Sequence, residues 1–276
     1  MSIRKGKLMI SIITIVKNDL DNLKKTVNSV LSQTFTDYEF LIQDGLSEDG
    51  TLEWIYSIKD LYKIKFKSEK DISLYDAMNK AILRAEGNYI IFLNAGDTFV
   101  EQESLEKIFN ILECSNFTLN ELIVCDAIID YGYAQRIHKA VPFEDWLKGD
   151  RRQMPTVHQA IFYPREIFEK VGGYDINYGI CGDYEHIRRI VKAGYKWKYI
   201  SIPLVRYNVY GLANKMYWQN YKERRQIIYK CDGKRKALYY TLSFYLNLPR
   251  VWFVAYARGK FWYKYLALLR CNWLKR

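Results

Sequence analysis

Short continuous apolar runs alternate with longer amphipathic stretches from residue 8 to about residue 126. Leu8 to Val16, Tyr38 to Ile42, Ile64 to Phe66, Tyr89 to Leu93 and Leu122 to Cys125 read as strands, all but the first brief and bounded by Gly, Asp, Asn or Lys. Between them, Leu20, Leu23, Val27, Val30 and Leu31 fall at helical spacing. Leu74, Ala77, Met78, Ala81, Ile82 and Ala85 do the same, and Gly87 is placed to end that second helix. A strand–helix–strand repeat implies right-handed crossovers and a mainly parallel sheet covered by helices on both faces. Ligands of such sheets bind beyond the carboxyl ends of the strands.

Polar residues collect at those ends: Lys17-Asn18-Asp19 after the first run, Gln43 to Thr51 after the second, Ser68 to Asp71 after the third and Asn94 to Asp97 after the fourth. One acid after a strand is most often a turn former or helix cap. Four such clusters along one edge place Asp44, Asp71 and Asp97 on a common crevice, where they repel one another unless a cation or hydrogen-bonding ligand belongs there. Residues 127 to 214 are less regular. Thr156 to Phe162 and the Gly172-Gly173-Tyr174-Asp175 segment stand out, followed by a helix that begins near Asp183 and closes at Gly194.

Composition narrows the classes. With 49% hydrophobic and 26% charged residues over 276 positions, the chain is too apolar for a disordered protein and long enough for a sizeable core. The formal charge of +11 lies at the end of the chain. Residues 215–276 hold 15 Lys and Arg against 2 acids, whereas residues 1–214 hold 27 against 29. Cys114, Cys125, Cys181, Cys231 and Cys271 fit neither a zinc pattern nor a disulfide framework, so free thiols in a reducing cytoplasm are expected. No P-loop, GxGxxG, GxSxG or HExxH motif is present, and three histidines do not make a multi-histidine metal site. The available acids suit a hard cation, Mg or Mn.

Six segments in order resemble family 2 glycosyltransferases: Ser11-Ile-Ile-Thr-Ile-Val, Asp44-Gly-Leu-Ser-Glu-Asp-Gly-Thr51, Ser68 to Ala81 with its Tyr-Asp-Ala-Met-Asn-Lys wording, Gly87 to Asp97, His158-Gln-Ala and Val171-Gly-Gly-Tyr-Asp175. The resemblance spans residues 8 to 206 and is nearest in wording to bacterial enzymes that extend surface polysaccharides. It implies a GT-A fold, a Rossmann-like sheet flanked by helices, and inverting transfer of a hexosyl or N-acetylhexosaminyl group from a UDP-sugar to a hydroxyl of a lipid-linked glycan in capsule, O-antigen or exopolysaccharide synthesis. By the same resemblance Asp44 meets the uracil, Asp71 lies near base or ribose, Thr14 and Val16 line the nucleoside pocket, and Asp76 and Lys80 shape it or face a phosphate. Asp97 binds the metal, with Asn94 and Ala95 on the cofactor side. The family usually carries Asp-x-Asp there, so Asn94-Ala-Gly-Asp97 retains one carboxylate and implies weaker metal binding that leans on the UDP oxygens. Asp183 is the expected base, with Glu185 as the alternative and a helix N-cap as the structural reading. His158 is either structural or on the acceptor or diphosphate side. Met78 and the surroundings of Tyr75 are expected to face the core.

Residues 1–214 form the expected catalytic domain and 215–276 a helical extension. That extension carries 16 aromatic residues among its cations, and its longest uncharged run, Ala237 to Pro249, is too short to span a bilayer. Helices lying in an anionic membrane surface are expected, which makes the protein peripheral on the cytoplasmic face. Nucleic acid is the lesser reading, since no RNA-binding signature accompanies the cations. A non-catalytic member that binds sugar nucleotide or membrane is the alternative to an enzyme, motivated by the missing second acid.

Overall fold

The computed structural model describes residues 9–113, 120–132, 134–149, 153–208 and 216–257. In chain order these form β1 (Ile10–Val16), α1 (Leu20–Leu31), β2 (Tyr38–Asp44), α2 (Thr51–Ile58), β3 (Lys65–Ser68), α3 (Leu74–Ile82), β4 (Tyr89–Phe92), β5 (Thr98–Phe99) and α4 (Ser104–Glu113). They continue as β6 (Leu122–Asp130), β7 (Gln135–His138), α5 (Phe143–Lys148), a 3-10 turn (His158–Ala160), β8 (Ile161–Pro164), α6 (Arg165–Lys170), α7 (Gly182–Lys192), β9 (Trp197–Asn208), α8 (Tyr217–Asp232) and α9 (Lys234–Ala257). The described residues fall into two compact units: those up to 128 with 137–207, and 129–136 with those from 208 onward.

In the first unit the strands run in the order β3-β2-β1-β4-β8-β6-β9-β5. The pairs β3-β2, β2-β1 and β1-β4 are parallel, as the alternating pattern requires. The other half differs from the expectation. β8 enters antiparallel between β4 and β6, so the run at Leu122 keeps the direction of β4 but pairs with β8 instead of with a parallel neighbour.

β1 is buried throughout because both of its faces are covered, and its two polar residues, Ser11 and Thr14, are hydrogen-bonded there. Ile10 and Ile12 join the core under α1, α2 and α4, with Leu23, Val27, Ile55 and Phe109. Ile13 and Ile15 join the opposite core under α3, α6 and α7, with Met78, Ile167 and Ile187. Side chains alternate between faces along a strand, so burial on two sides calls for apolar residues on both alternations.

α7 ends as expected, with Gly194 in a left-handed conformation at φ 92° just past its C-cap, Ala193. Gly87 does not end α3. That helix stops at Ile82 with Leu83 as its C-cap, and Gly87 serves a close approach instead. A Cβ on Gly87 would stand 2.6 Å from the Ser11 nitrogen and 2.8 Å from the Ile10 carbonyl carbon, so only glycine lets this segment pass against β1. Its own N–H donates to Ser11 Oγ.

In the second unit α8 and α9 pair as an antiparallel hairpin turned at Gly233, whose φ of 86° suits glycine. Tyr221 stacks on Phe244 with ring centroids 3.8 Å apart, Tyr217 stacks on the same ring from one turn earlier, and Arg225 Nε donates to Thr241 Oγ. No helix among the described residues is long and apolar enough to cross a membrane. The expected extension from 215 continues past 257 into positions outside the described residues.

Gly87→Ala is expected to lower stability by about 1–3 kcal/mol, because the clash is with backbone and not with a movable side-chain tip. Urea unfolding measures it, and an unchanged midpoint would contradict the close approach.

Candidate active site

The carboxyl ends of β1, β2 and β3 are level, with Val16 opposite Asp44 and Asp44 opposite Ser68. The loops that leave them are braced by side chains. Asp44 is fully buried and accepts from Ser47 N at 3.1 Å, Ser47 Oγ at 2.5 Å and Ser68 Oγ at 2.5 Å. Asn18, at a φ of 51°, accepts from Glu48 N and donates its own N–H to Ser47 Oγ. The exposed Asp49 accepts from Thr51 Oγ, Leu20 N and Thr51 N, and the Thr51 hydroxyl leads in holding its carboxyl below the usual range. These contacts make one rigid wall of two loops. Thr14 and Val16 are buried behind it, with Thr14 Oγ donating to Leu93 O at 2.6 Å.

Asp71 lies against that wall, its Oδ2 3.3 Å from where a Cβ on Gly45 would stand. Lys80 Nζ reaches Asp71 at 3.0 Å and Asp76 at 2.9 Å and donates to Lys70 O. Lys80 is therefore a bridge between two carboxylates, and its own pKa is raised chiefly by the bond to Asp76. For Asp76, burial pushes the pKa up, but the Ile72 N–H and Lys80 outweigh it and hold the carboxyl low. The expected self-repulsion along the edge is thus relieved locally. Ser47 and Ser68 satisfy Asp44, and Lys80 neutralises Asp71.

After β4 the chain makes a tight turn. Asp97 N donates to Asn94 O at 2.9 Å across Gly96, whose φ of 97° is the type II requirement. Thr26 Oγ, buried on α1, bonds the carbonyls of Asn94 and Asp97 and accepts from Gly96 N, so the turn is pinned from beneath. Ala95 packs partly buried against the core. Gln159 Nε2 donates to Asp97 Oδ2 at 2.8 Å.

Two buried acceptors in this cluster, Asn94 Oδ1 and Gln159 Oε1, have no hydrogen-bond partner among the described residues. Together with the Asp97 carboxylate they are neutral and anionic oxygens of the kind that Mg and Mn prefer. No group of three His, Cys, Asp or Glu among the described residues could hold an ion by itself. The residues fit a cation whose shell is completed by oxygens from a ligand.

His158 links this turn to α7. Its Nε2 lies 3.3 Å from Asn94 Nδ2 and its Nδ1 3.9 Å from Asp183 Oδ2. Burial lowers its pKa, opposed by the Asp183 charge. Accepting from Asn94 at Nε2 leaves the Nδ1 proton directed at Asp183.

Asp183 is not the N-cap of α7. That position is Cys181, and Asp183 sits within the first turn. Tyr75 donates its hydroxyl to Ile180 O at 2.6 Å and approaches Asp183 Oδ1 at 3.3 Å. Gly182 makes room for this, since a Cβ there would lie 2.7 Å from the Tyr75 ring. Glu185 is engaged elsewhere, with both oxygens accepting from Arg189 Nε at 2.8 and 2.9 Å while Arg189 also holds the carbonyls of Val171 and Gly173.

Sequence reasoning passed over several members of this arrangement. Tyr75 and Met78 are core residues as expected, but the Tyr75 hydroxyl also reaches Asp183. Asn79 clamps the Gly-Gly-Tyr segment through the Tyr174 N–H and carbonyl, both at 2.8 Å. Gln159 stood in a recognised motif without a role. Tyr207, on β9, has a pKa raised to about 12 by burial and then by the charges of Asp97 and Asp183, so its hydroxyl belongs to the same neighbourhood. Only the tyrosine before Asp76 and the Gln after His158 offered a sequence signal, as polar groups inside apolar helical or strand patterns.

Residues 11–171 match the description Glycosyl transferase family 2. An uncharacterised glycosyltransferase of Mycobacterium tuberculosis is 32% identical over 190 residues, covering 65% of this chain and 68% of its own length. A PGL/p-HBAD biosynthesis glycosyltransferase of Mycobacterium bovis is 27% identical over 223 residues, or 78% and 83% of the two chains. Among solved structures, mannosyltransferase PcManGT from Pyrobaculum calidifontis, in complex with GDP-Man and Mn2+, superposes with a TM-score of 0.63 at 15% identity, covering 100% of this chain and 83% of its own. S. aureus TarS 1–349 in complex with UDP gives 0.62 at 14% identity, covering 82% and 67%. The fold is GT-A, a mixed α/β sheet with flanking helices.

His186, beneath the Gly172-Gly173 segment, is fully buried with its pKa lowered to about 3, by burial first and then by Arg189. The folded state keeps it neutral while the unfolded state protonates near 6.5. Its contribution is therefore complete above about pH 6.5 and is lost as pH falls from there toward 3. Urea unfolding across that window is expected to show a shallower acid loss in His186→Gln than in the wild type, and identical slopes would exclude His186 as the source.

Proposed function

Because the chain belongs to glycosyl transferase family 2, we propose that it transfers a hexosyl or N-acetylhexosaminyl group from a UDP-sugar to an acceptor hydroxyl, with inversion at the anomeric carbon. The carrying observation is the line of contacts from the Asn94–Asp97 turn through His158 to Asp183. It sets a carboxylate able to take a proton across from a cluster suited to a diphosphate and its cation. The acceptor oxygen attacks the anomeric carbon on the face opposite the diphosphate as Asp183 removes the hydroxyl proton. The bond from that carbon to the diphosphate breaks, and UDP leaves with the electron pair.

In this reading Asp183 is the base and Glu185 is not, since Glu185 is bound on both oxygens by Arg189. His158 turns its Nδ1 proton toward Asp183 and orients it, with Tyr75 on the other side. Asp97, Asn94 Oδ1 and Gln159 Oε1 would hold a Mn or Mg ion, which would supply neutralisation of the charge developing on the leaving diphosphate. Asp71 faces the nucleoside beside a wall made by Asp44, Ser47 and Ser68, with Thr14 and Val16 behind it. Lys80 and Asp76 hold Asp71 in place. A lipid-linked glycan is the proposed acceptor; one relative named for a lipid substrate is a cholesterol galactosyltransferase of Borreliella burgdorferi, 29% identical over 143 residues.

Calorimetry of UDP, GDP, dTDP and CMP with and without Mn is expected to show Mn-dependent binding of UDP in the wild type and in Asp183→Asn, and its loss in Asp97→Ala. UDP-sugar hydrolysis by Asp183→Asn is expected to fall by about 10²–10⁴-fold, the range for a removed general base. Hydrolysis at the wild-type rate would dismiss Asp183 as the base. Absence of binding by any nucleotide would dismiss the donor reading and favour a non-catalytic member.

A further inference from the structure

The α8–α9 hairpin buries one side of α9 and leaves the other open. Ala237 and Phe244 pack inward, against Tyr221 and its neighbours. Leu238, Leu242 and Leu246 are 57%, 55% and 81% exposed, and Tyr239 and Tyr245 are exposed with them. These positions follow i, i+1, i+4, i+7 and i+8, an arc of about 120° at 100° per residue. Exposed leucines at such spacing are a face, whereas scattered ones would need no explanation.

The exposed charge beside this face is positive, and Asp232, just before the turn, pairs with Lys236 at 3.6 Å. Lys234, Arg235 and Lys236 are exposed at the start of α9, and Arg235 falls on the same arc as the leucines. Across the hairpin, α8 exposes Lys222, Arg225 and Lys230. From residue 233 to the last residue there are ten Lys and Arg and no Asp or Glu. Leucine and tyrosine flanked by cations match the boundary between acyl chains and anionic headgroups, where apolar side chains are buried a few ångströms deep and cations stay in the headgroup layer. A second copy of the same face would have to bring these cations together, which disfavours self-association.

We propose that the Leu238–Leu242–Leu246 face of α9 docks on an anionic lipid surface, with the cations at its N-terminus in the headgroup layer. This is independent of the donor chemistry, so either reading can fail alone.

Flotation of the full chain with vesicles tests it, using phosphatidylcholine alone and phosphatidylcholine mixed with phosphatidylglycerol. Wild type is expected to float with the phosphatidylglycerol vesicles. Leu242→Glu with Leu246→Glu is expected to reduce this at least about tenfold, since it places two like charges with the lipid in the apolar layer. Lys234, Arg235 and Lys236 all changed to Gln are expected to abolish the preference for phosphatidylglycerol over phosphatidylcholine. UDP affinity and the circular dichroism spectrum of both variants serve as controls for folding. Wild type left in solution with phosphatidylglycerol vesicles would overturn the proposal, as would undiminished flotation of the leucine variant. A wild-type dimer that the leucine variant dissociates, without vesicle binding, would overturn it in favour of self-association.

Discussion

Parallel pairing of β1 with β2 on one edge and with β4 on the other sets where every polar loop begins. The register opposes Val16 to Asp44 and Asp44 to Ser68, so the loops after three strands leave the sheet at one level. A slip of one residue would turn the alternate side chains of β1 to the wrong cores and carry Thr14 off the Leu93 carbonyl that it bonds. The two cores on either face of β1 therefore do more than stabilise. They leave one register available, and that register levels the rim on which the charged groups stand.

On that rim, charge is matched in small local sets. Asp44 is met by hydroxyls and Asp71 by a lysine shared with Asp76, and Asp97 accepts from the amide of Gln159. The cluster around Asp97 is left incomplete, with buried oxygens on Asn94 and Gln159 that none of the described residues satisfies. An orphaned acceptor is costly inside a protein, and its persistence here is consistent with a partner supplied from outside. With Asn94 in place of an acid, a cation at this turn would draw less charge from the chain and more from its ligand.

Much of the parallel half was legible because its signals are local. The apolar runs of β1, β2 and β4, the helical spacing of α1 and α3, and the acids after each strand all lie within short windows. The antiparallel half was not. β8 is a four-residue strand whose partners, β4 and β6, are far away in sequence, and no periodicity over four residues can reveal an antiparallel insertion. The site followed the same rule. Asp97 was visible at a strand end, but its bond to Gln159 spans 62 residues, and that of Tyr75 to Asp183 spans 108. Tyr75 looked like core because it is core, and only its terminal oxygen does anything else. Gly87 was misassigned for a related reason: a glycine past a helix signals a stop, but here it answers to a neighbouring strand.

α3 touches both halves of the site at once. Tyr75 at its start reaches Asp183, and Lys80 near its end holds Asp71. Five steps along a rigid helix separate them, about 7.5 Å of rise, with the two side chains set at a fixed angle around the axis. The helix is in effect a spacer with keyed ends. An inserted or deleted residue between Tyr75 and Lys80 would turn one end by about 100° relative to the other. Descent of this chain should therefore record no change in the length of that stretch.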